Sequence, residues 1–433
     1  MNQMRISIVG AGYVGLSTGV GFAKMGHSVI CMDIDKNKVQ SINIGKPPIY
    51  EPNMGSCLEE AVKDGKLKAT TGLSDAIMHS EITFISVPTP QSNDGSADLS
   101  FIRKAAEDIG SMLKDKDDYH VVVVKSTVVP GTTEEVVLPA LEHGSGKKAG
   151  KDFGVCMNPE FLREGRALDD FLNPDRIVIG SLDSKAGEVV ERVYACFDAP
   201  KLRTAIKTAE MIKYASNALL ATKISFSNEI GNICKGLGID VYDVMKGVGM
   251  DSRLSPSFLR AGAGFGGSCF PKDVAAIAAK GKDVGQETRI LDAVLDVNRA
   301  QRKRFIDLLE KKVGSVDGKR VAVLGLAFKP ESDDIREAPS IDIINMLKGR
   351  GAKVSVYDPQ AMSNMKAIHA DIEYKDRPAD CLQGADACLI LTDWDQFKDM
   401  SEKDFDAMNA KVILEGRKVL NQDNVKCFEG ICW

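Results

Sequence analysis

Apolar residues arrive along this chain in short blocks set apart by polar or glycine-rich breaks. Arg5-Ile6-Ser7-Ile8-Val9, Ser28 to Asp33, Ile82 to Val87, Val121 to Val124 and Phe153 to Met157 each read as a buried strand. Strands covered on both faces are near-continuously apolar rather than alternating. A second series occupies the last third: Val321 to Leu326, Lys353 to Tyr357, Ala387 to Leu391 and Val412 to Leu414, with a helix over roughly Ser340 to Lys348. Residues 205–237 differ. They contain no proline, their only glycines are Gly231 and Gly236, and apolar residues recur at helical spacing. That predicts one helix well beyond the ~10–14 residues usual in globular proteins. The expected fold is α/β: two Rossmann-like doubly wound domains joined by a central helical domain with a long spine helix.

Composition narrows the function. The 433 residues suffice for two or three full cores. A hydrophobic content of 44%, charged content of 27% and net charge of −5 suit a soluble protein and argue against a nucleic-acid or anionic-membrane partner. Ten cysteines without a CxxC pair, and five scattered histidines without HExxH, leave no metal motif and point to a reducing compartment. No apolar run approaches the roughly 20 residues of a spanning helix, and the chain enters a strand almost at once. A cytoplasmic protein is expected.

Gly10-Ala11-Gly12-Tyr13-Val14-Gly15 follows the first strand and opens a small-residue helix, and Asp33 ends the next strand. In this order GxGxxG supplies a tight turn, room for a pyrophosphate and close helix packing, with the helix N-terminus facing phosphates. Asp33 would accept from a ribose 2′-hydroxyl and repel a 2′-phosphate, which favours NAD over NADP. The competing reading is a Rossmann-like domain that has lost its ligand. Thr89, between Pro88 and Pro90, and Thr127, in Lys125-Ser126-Thr127, follow parallel strands on the ligand-binding edge, though ordinary turn chemistry would also use them. The last third repeats the plan, with Asp358 ending a strand, but its turn carries Phe328-Lys329-Pro330 instead of GxGxxG. It reads as a second nucleotide domain whose ligand is not NAD. Lys329, Arg336 and Arg417 suit phosphate contacts there; solvated surface roles stay open.

The most distinctive stretch is Gly262-Ala263-Gly264-Phe265-Gly266-Gly267-Ser268-Cys269-Phe270-Pro271-Lys272-Asp273. Its four glycines let backbone approach a bulky ligand. A helix starting near Pro271 would favour a thiolate at Cys269; a structural cysteine in a glycine loop is the plainer reading. Lys213 and Asn217 are four apart on the spine helix, hence on one face. They either hold an oxyanion or are two exposed polar residues. Glu160, Arg163 and Glu164, after Asn158-Pro159, either line a cleft or start a solvated helix.

These motifs stand together in order: GAGYVG, Val-Pro-Thr-Pro at 87–90, Lys-Ser-Thr at 125–127, NPEFLREG at 158–165, AEMIKYASNA at 209–218, GFGGSCFPKD at 264–273 and GLAFKP at 325–330. With them the chain resembles the UDP-glucose/GDP-mannose dehydrogenase family over essentially its whole length. The resemblance implies an NAD-binding domain at 1–200, a central helical dimerisation domain at 201–300 and a UDP-sugar-binding domain at 301–433. It implies NAD-dependent four-electron oxidation of UDP-glucose to UDP-glucuronate through a Cys269 thiohemiacetal and thioester. Lys213 and Asn217 would stabilise the oxyanion, Asp273 and Thr127 would position water, and Glu160 would serve as acid/base in thioester hydrolysis. Gly10, Gly12, Tyr13, Val14, Gly15, Asp33, Lys38, Thr89, Thr127, Glu164, Lys272 and Arg336 match cofactor positions. Glu160, Phe161, Leu162, Arg163 and Glu164 match the nucleotide-sugar site, as do Phe258, Leu259, Arg260, Ala261, Gly262, Gly266 and Lys329, with Lys213, Asn217 and Arg417 beside them. Arg253 matches an arginine that reaches a neighbouring subunit, so a homodimer or larger homo-oligomer is expected. The tail Glu429 to Trp433 and the Gly-Lys-Lys-Ala-Gly stretch are similar to GDP-mannose oxidising members, which keeps that substrate open. A two-electron hydroxyacid dehydrogenase and a non-catalytic NAD-binding protein are the remaining alternatives.

Overall fold

The apolar blocks of the first half form one sheet. Its strands are β1 (Arg5–Val9), β2 (Ser28–Met32), β3 (Leu67–Thr70), β4 (Ile82–Ile85), β5 (His120–Val124), β6 (Phe153–Met157), β7 (Ile177–Ser181) and β8 (Lys201–Thr204). This is seen in a computed structural model that describes residues 3–92 and 94–433. The strand order is β3-β2-β1-β4-β5-β6-β7-β8. β1 to β6 run parallel, and β7 joins β6 antiparallel. Register places Ile8 between Cys31 and Phe84, and all three are fully buried. Helix α1 (Tyr13–Lys24) lies close on this sheet because its glycines permit it: a Cβ at Gly19 would stand 2.7 Å from Cys31 Sγ. Strand order reverses beside β1, so the loops after β1 and β4 frame the crevice where open α/β sheets take ligands.

By packing, the chain divides into two units, Met1–Ser216 and Asn217–Trp433. The expected spine is helix α2 (Ile206–Leu237), 32 residues long, which passes from the first unit into the second. After it come α3 (Val241–Gly249), α4 (Phe270–Asp283) and α5 (Arg289–Val313). The second sheet follows: β9 (Arg320–Leu324), β10 (Lys353–Tyr357), β11 (Glu373–Tyr374), β12 (Ala387–Ile390), β13 (Ile413–Glu415) and β14 (Glu429–Gly430), ordered β11-β10-β9-β12-β13-β14. All its pairings are parallel. Cys234, Val241 and Met245 share one core with Phe305, Ile306 and Leu309 of α5 and with Val321 and Val323 of β9. α3 and α5 thus bury apolar faces in the core of the C-terminal sheet, whereas Val274 of α4 packs with Ala218, Ala221, Phe265 and Val294. No helix among the described residues is long and apolar enough to cross a membrane.

Candidate active site

The three glycines of the first turn do three different jobs. Gly10 sits at φ +97°, and a Cβ there would be 2.5 Å from the Ser86 carbonyl oxygen. A Cβ at Gly15 would be 1.8 Å from Gly10 O, so helix and strand can close only on glycine. Around Gly12 there is open space, with nothing within 4 Å of a Cβ. Gly12 also caps α1 without a side chain, and Tyr13 and Val14 open the helix. An open approach to a helix N-terminus fits a pyrophosphate. Asp33 is oriented by the Ala11 N–H at 2.9 Å and the Asp35 N–H at 3.0 Å, with Lys38 Nζ at 4.0 Å. Thr89 Oγ1 donates to the Thr127 carbonyl at 2.8 Å, which ties together the loops after β4 and β5. These residues fit NAD.

A buried charge cluster occupies the same unit. Lys213 Nζ lies 2.8 Å from Glu160 Oε1, with side chains only 4% and 5% exposed. The Leu162 N–H donates to Glu160 Oε2 at 2.5 Å. Burial by itself pushes the Glu160 carboxyl up, but the Lys213 charge and these hydrogen bonds outweigh it and hold it below its ordinary value. The solvated readings of Glu160 and Lys213 are therefore excluded. An ionised carboxylate beside an ammonium can take a proton from water while the ammonium meets a developing oxyanion. The ring of Phe161 carries the Arg176 guanidinium at 3.9 Å. Arg163 instead turns outward to Asp170, 2.5 Å away, and Glu164 is half-buried.

In the second unit Cys269 is the N-cap of α4, half-buried, its carbonyl accepting from the Asp273 N–H at 2.8 Å. The Ser268 hydroxyl stands 3.6 Å from Cys269 Sγ. Asp273 is buried and accepts from Asn217 Nδ2 and from Lys272 Nζ, each at 2.6 Å. Asn217 is buried too, so it is no exposed polar residue. The thiol thus opens a helix whose positive end favours an anion, one turn from a fixed carboxylate.

The close packing of the protein itself requires the glycines before Cys269. A Cβ at Gly262 would be 2.4 Å from Gly416 O, at Gly264 2.7 Å from Asn298 Oδ1, at Gly266 2.3 Å from Glu337 O and at Gly267 2.7 Å from the Phe328 ring. The loop is then bonded in place. Asn228 accepts from the Gly262 N–H at 2.7 Å, Gln301 donates to Gly262 O at 2.9 Å, and Asn298 accepts from the Phe265 N–H at 2.7 Å. Half-buried Arg417 donates to Gly264 O at 2.6 Å, and burial pulls its guanidinium down. Leu259 and Ala261 are buried, Arg260 is exposed, and Phe258 adopts φ +67°. Arg336 pairs with Asp334 at 2.6 Å while its carbonyl accepts from the Gly267 N–H. Lys329 Nζ lies 5.3 Å from the Phe328 ring centre. Arg253 stands apart, 84% exposed and paired with Asp251.

Sequence reading missed the supports of these residues. Glu51 accepts from the Gly165 and Ala167 N–H groups at 2.8 and 2.6 Å and fixes the end of the Glu160–Glu164 segment. Asn228, Asn298 and Gln301 were legible only as polar breaks in otherwise apolar helix faces.

Comparison with known proteins agrees along the whole chain. Residues 4–198 match the NAD-binding domain, 207–300 the central domain and 322–422 the UDP-binding domain of one family. A UDP-glucose 6-dehydrogenase of Haloferax volcanii is 47% identical over 97% of this chain and 98% of its own length. A GDP-mannose 6-dehydrogenase of Azotobacter vinelandii is 40% identical over 99% of this chain and 100% of its own. A solved UDP-glucose dehydrogenase from Pyrobaculum islandicum superposes with a TM-score of 0.95 at 42% identity, covering 100% of this chain and 98% of that one. The open glycine turn, the buried Lys213–Glu160 pair and the N-capping Cys269 belong, with the rest of this chain, to the UDP-glucose/GDP-mannose dehydrogenase family.

Proposed function

We propose that this protein oxidises the C6 hydroxyl of UDP-glucose to a carboxylate in two NAD-dependent steps. The observation that carries the reading is Cys269 at the head of α4, one turn before Asp273, which Asn217 and Lys272 hold. NAD, when bound, accepts a hydride, twice per sugar. Lys213 and Asn217 stabilise the oxygen at C6 as charge gathers on it. The thiolate of Cys269 adds to the aldehyde carbon and retains it as a thiohemiacetal, whose oxidation leaves a thioester. Water then bonds to the carbonyl carbon, its proton goes to Glu160, the C–S bond breaks and Cys269 leaves as thiolate. Asp273 and Thr127 position that water.

The Gly10–Gly15 turn, Asp33, Lys38 and Thr89 hold NAD, and Glu164, Lys272 and Arg336 complete its contacts. The 160–164 and 258–262 segments, Gly266, Lys329 and Arg417 hold the nucleotide sugar. In this reading residues 1–200 serve the cofactor, 201–300 dimerisation and 301–433 the UDP moiety. Leu219, Phe226 and Ile233 recur every seven residues along α2 and are at least half exposed, which supports a homodimer with Arg253 reaching the partner. GDP-mannose remains the second reading, favoured by the tail at 429–433.

Counting NADH per sugar tests this. Two per UDP-glucose supports the proposal, one supports a two-electron dehydrogenase, and none a binding protein. The same count with GDP-mannose and UDP-N-acetylmannosamine in parallel ranks the substrates.

A further inference from the structure

One buried charge has no part in the chemistry so far. Lys125 follows β5 and is 3% exposed. Its ammonium donates to Asn158 Oδ1 at 3.0 Å, to the Asn158 carbonyl at 3.4 Å and to the Tyr194 hydroxyl at 3.4 Å. Asn158 is locked in turn: Oδ1 accepts from the Tyr194 hydroxyl at 2.6 Å, Nδ2 donates to Val178 O at 2.8 Å, and its N–H donates to Val124 O at 2.9 Å. Among the described residues, the hydrogen-bond partners of Lys125 are all neutral. Taking a cation out of water without a direct counter-ion is costly, and a methionine would fill the same length at no such cost. The charges it does feel are the opposite one of Glu160, two residues beyond Asn158, and the like one of Lys213.

We propose that Lys125 is a positioning residue for Glu160: it pins the Asn158–Glu160 turn to the end of β5 and adds a second cation that keeps the carboxylate ionised beside Lys213. The proposal rests on the reading of Glu160 as the base of thioester hydrolysis. Glu160 faces Lys213 from α2, Lys125 from β5 and the Leu162 N–H from its own segment. Tyr194 stays a phenol, its hydroxyl pushed far up by burial. Two cations thus serve one carboxylate. Burial draws Lys125 down to about 8, so its charge is present through neutral pH.

The test follows the adduct on Cys269 by intact-protein mass during turnover with UDP-glucose and NAD, across pH. A carboxylate that loses a nearby cation titrates higher. In Lys125→Met the acid limb of adduct hydrolysis should move up by about one pH unit, with KM for both substrates within about twofold. Tyr194→Phe removes another partner of the same Asn158 oxygen but no charge, and its limb should stay with wild type. A purely structural Lys125 would make the two variants alike and overturn the proposal. Should Lys125→Met fail to fold, Asn158→Asp sets a negative charge against Lys125 and must move the limb the same way; an unmoved limb sinks the idea. Glu160→Gln separates the premise. If it hydrolyses the adduct at the wild-type rate, the assignment of Glu160 fails and this proposal with it. If it is slow while Lys125→Met keeps the wild-type limb, only the proposal for Lys125 fails.

Discussion

Asp33 and Asp358 hold the same place in their two sheets, and only Asp358 is saturated. The Gly10 N–H donates to Met32 O and the Gly325 N–H to Tyr357 O, both at 2.8 Å. One residue on, the Ala11 N–H reaches Asp33 at 2.9 Å and the Leu326 N–H reaches Asp358 at 2.7 Å. Asp358 then accepts further from the N–H groups of Ala327, Gln360 and Ala361 and from Trp394 Nε1. A carboxylate offers about four lone-pair sites, so nothing remains for a ribose. The second sheet repeats the turn but not the dinucleotide contact.

Asp33→Ala should therefore raise KM for NAD about 10-fold or more, the worth of one charged hydrogen bond, and cost less stability than the loss of Asp358, because it strands the N–H groups of Ala11 and Asp35 alone. Asp358→Ala should do the reverse: a clear loss of stability by urea titration, with KM for NAD unaltered in the folded enzyme. Weakened NAD binding in the Asp358 variant would contradict the division of labour.

Lys213 and Glu160 shield each other from the cost of burial. Lys213→Met alone should destabilise by about 3–5 kcal/mol, because it strands a buried carboxylate. The double variant Lys213→Met/Glu160→Gln should be less destabilised than the sum of the singles. Denaturant midpoints for the three variants give the coupling directly, and a coupling near zero would mean that the pair does not exist in solution.

Replacing the thiol should split the reaction at its first half. Cys269→Ser is expected to stall at the aldehyde or at a covalent intermediate, with no more than one NADH per sugar. Asn217→Ala should lower kcat by about 10²-fold, in the range for a lost oxyanion donor. Two NADH per sugar from the serine enzyme would contradict the nucleophile.

Glu415 makes stability depend on pH. Burial raises its carboxyl from 4.5 to about 7, against the N–H groups of Leu420 and Val419 and the indole of Trp433, which pull the other way. A group raised on folding stabilises fully below its unfolded value, so the contribution is complete below about pH 4.5 and is lost as pH rises through about 7. At about 1.4 kcal/mol per pH unit the loss is roughly 3 kcal/mol. Glu415→Gln should flatten the decline between pH 5 and 8 relative to wild type in paired melting curves. Parallel slopes would rule the effect out.

The exposed apolar stripe on α2 predicts its own disruption. Phe226→Glu should shift the protein toward monomer in light scattering, without loss of helical signal. An unchanged mass would overturn the assignment of this stripe to a self-contact.

Strands, the spine helix and the dinucleotide turn were legible because they depend on local chemistry. Apolar runs make buried strands, absence of proline sustains a helix of 32 residues, and GxGxxG works through backbone geometry within one βαβ unit. The glycine loop was legible as glycine but not as to cause. Its Cβ positions meet Gly416, Asn298, Glu337 and Phe328, all of them distant in sequence. Whether Lys213 and Asn217 face a site or solvent stayed open on their spacing alone, because side-chain polarity is local and burial is not.

By itself, then, the sequence determined five strands of the first sheet, four of the second and the spine helix, where a nucleotide turn must lie and which thiol follows a glycine loop; the strands at 67–70, 177–181, 201–204, 373–374 and 429–430 emerged only in the fold. Only the tertiary structure decided that Glu160 meets Lys213, that Lys125 is sealed beside Asn158, and that Asp358 is closed to ligands. Each of those depends on a charge or donor brought from a remote part of the chain, and whether a charge is paired or solvated is fixed by what folds over it, not by its neighbours in sequence.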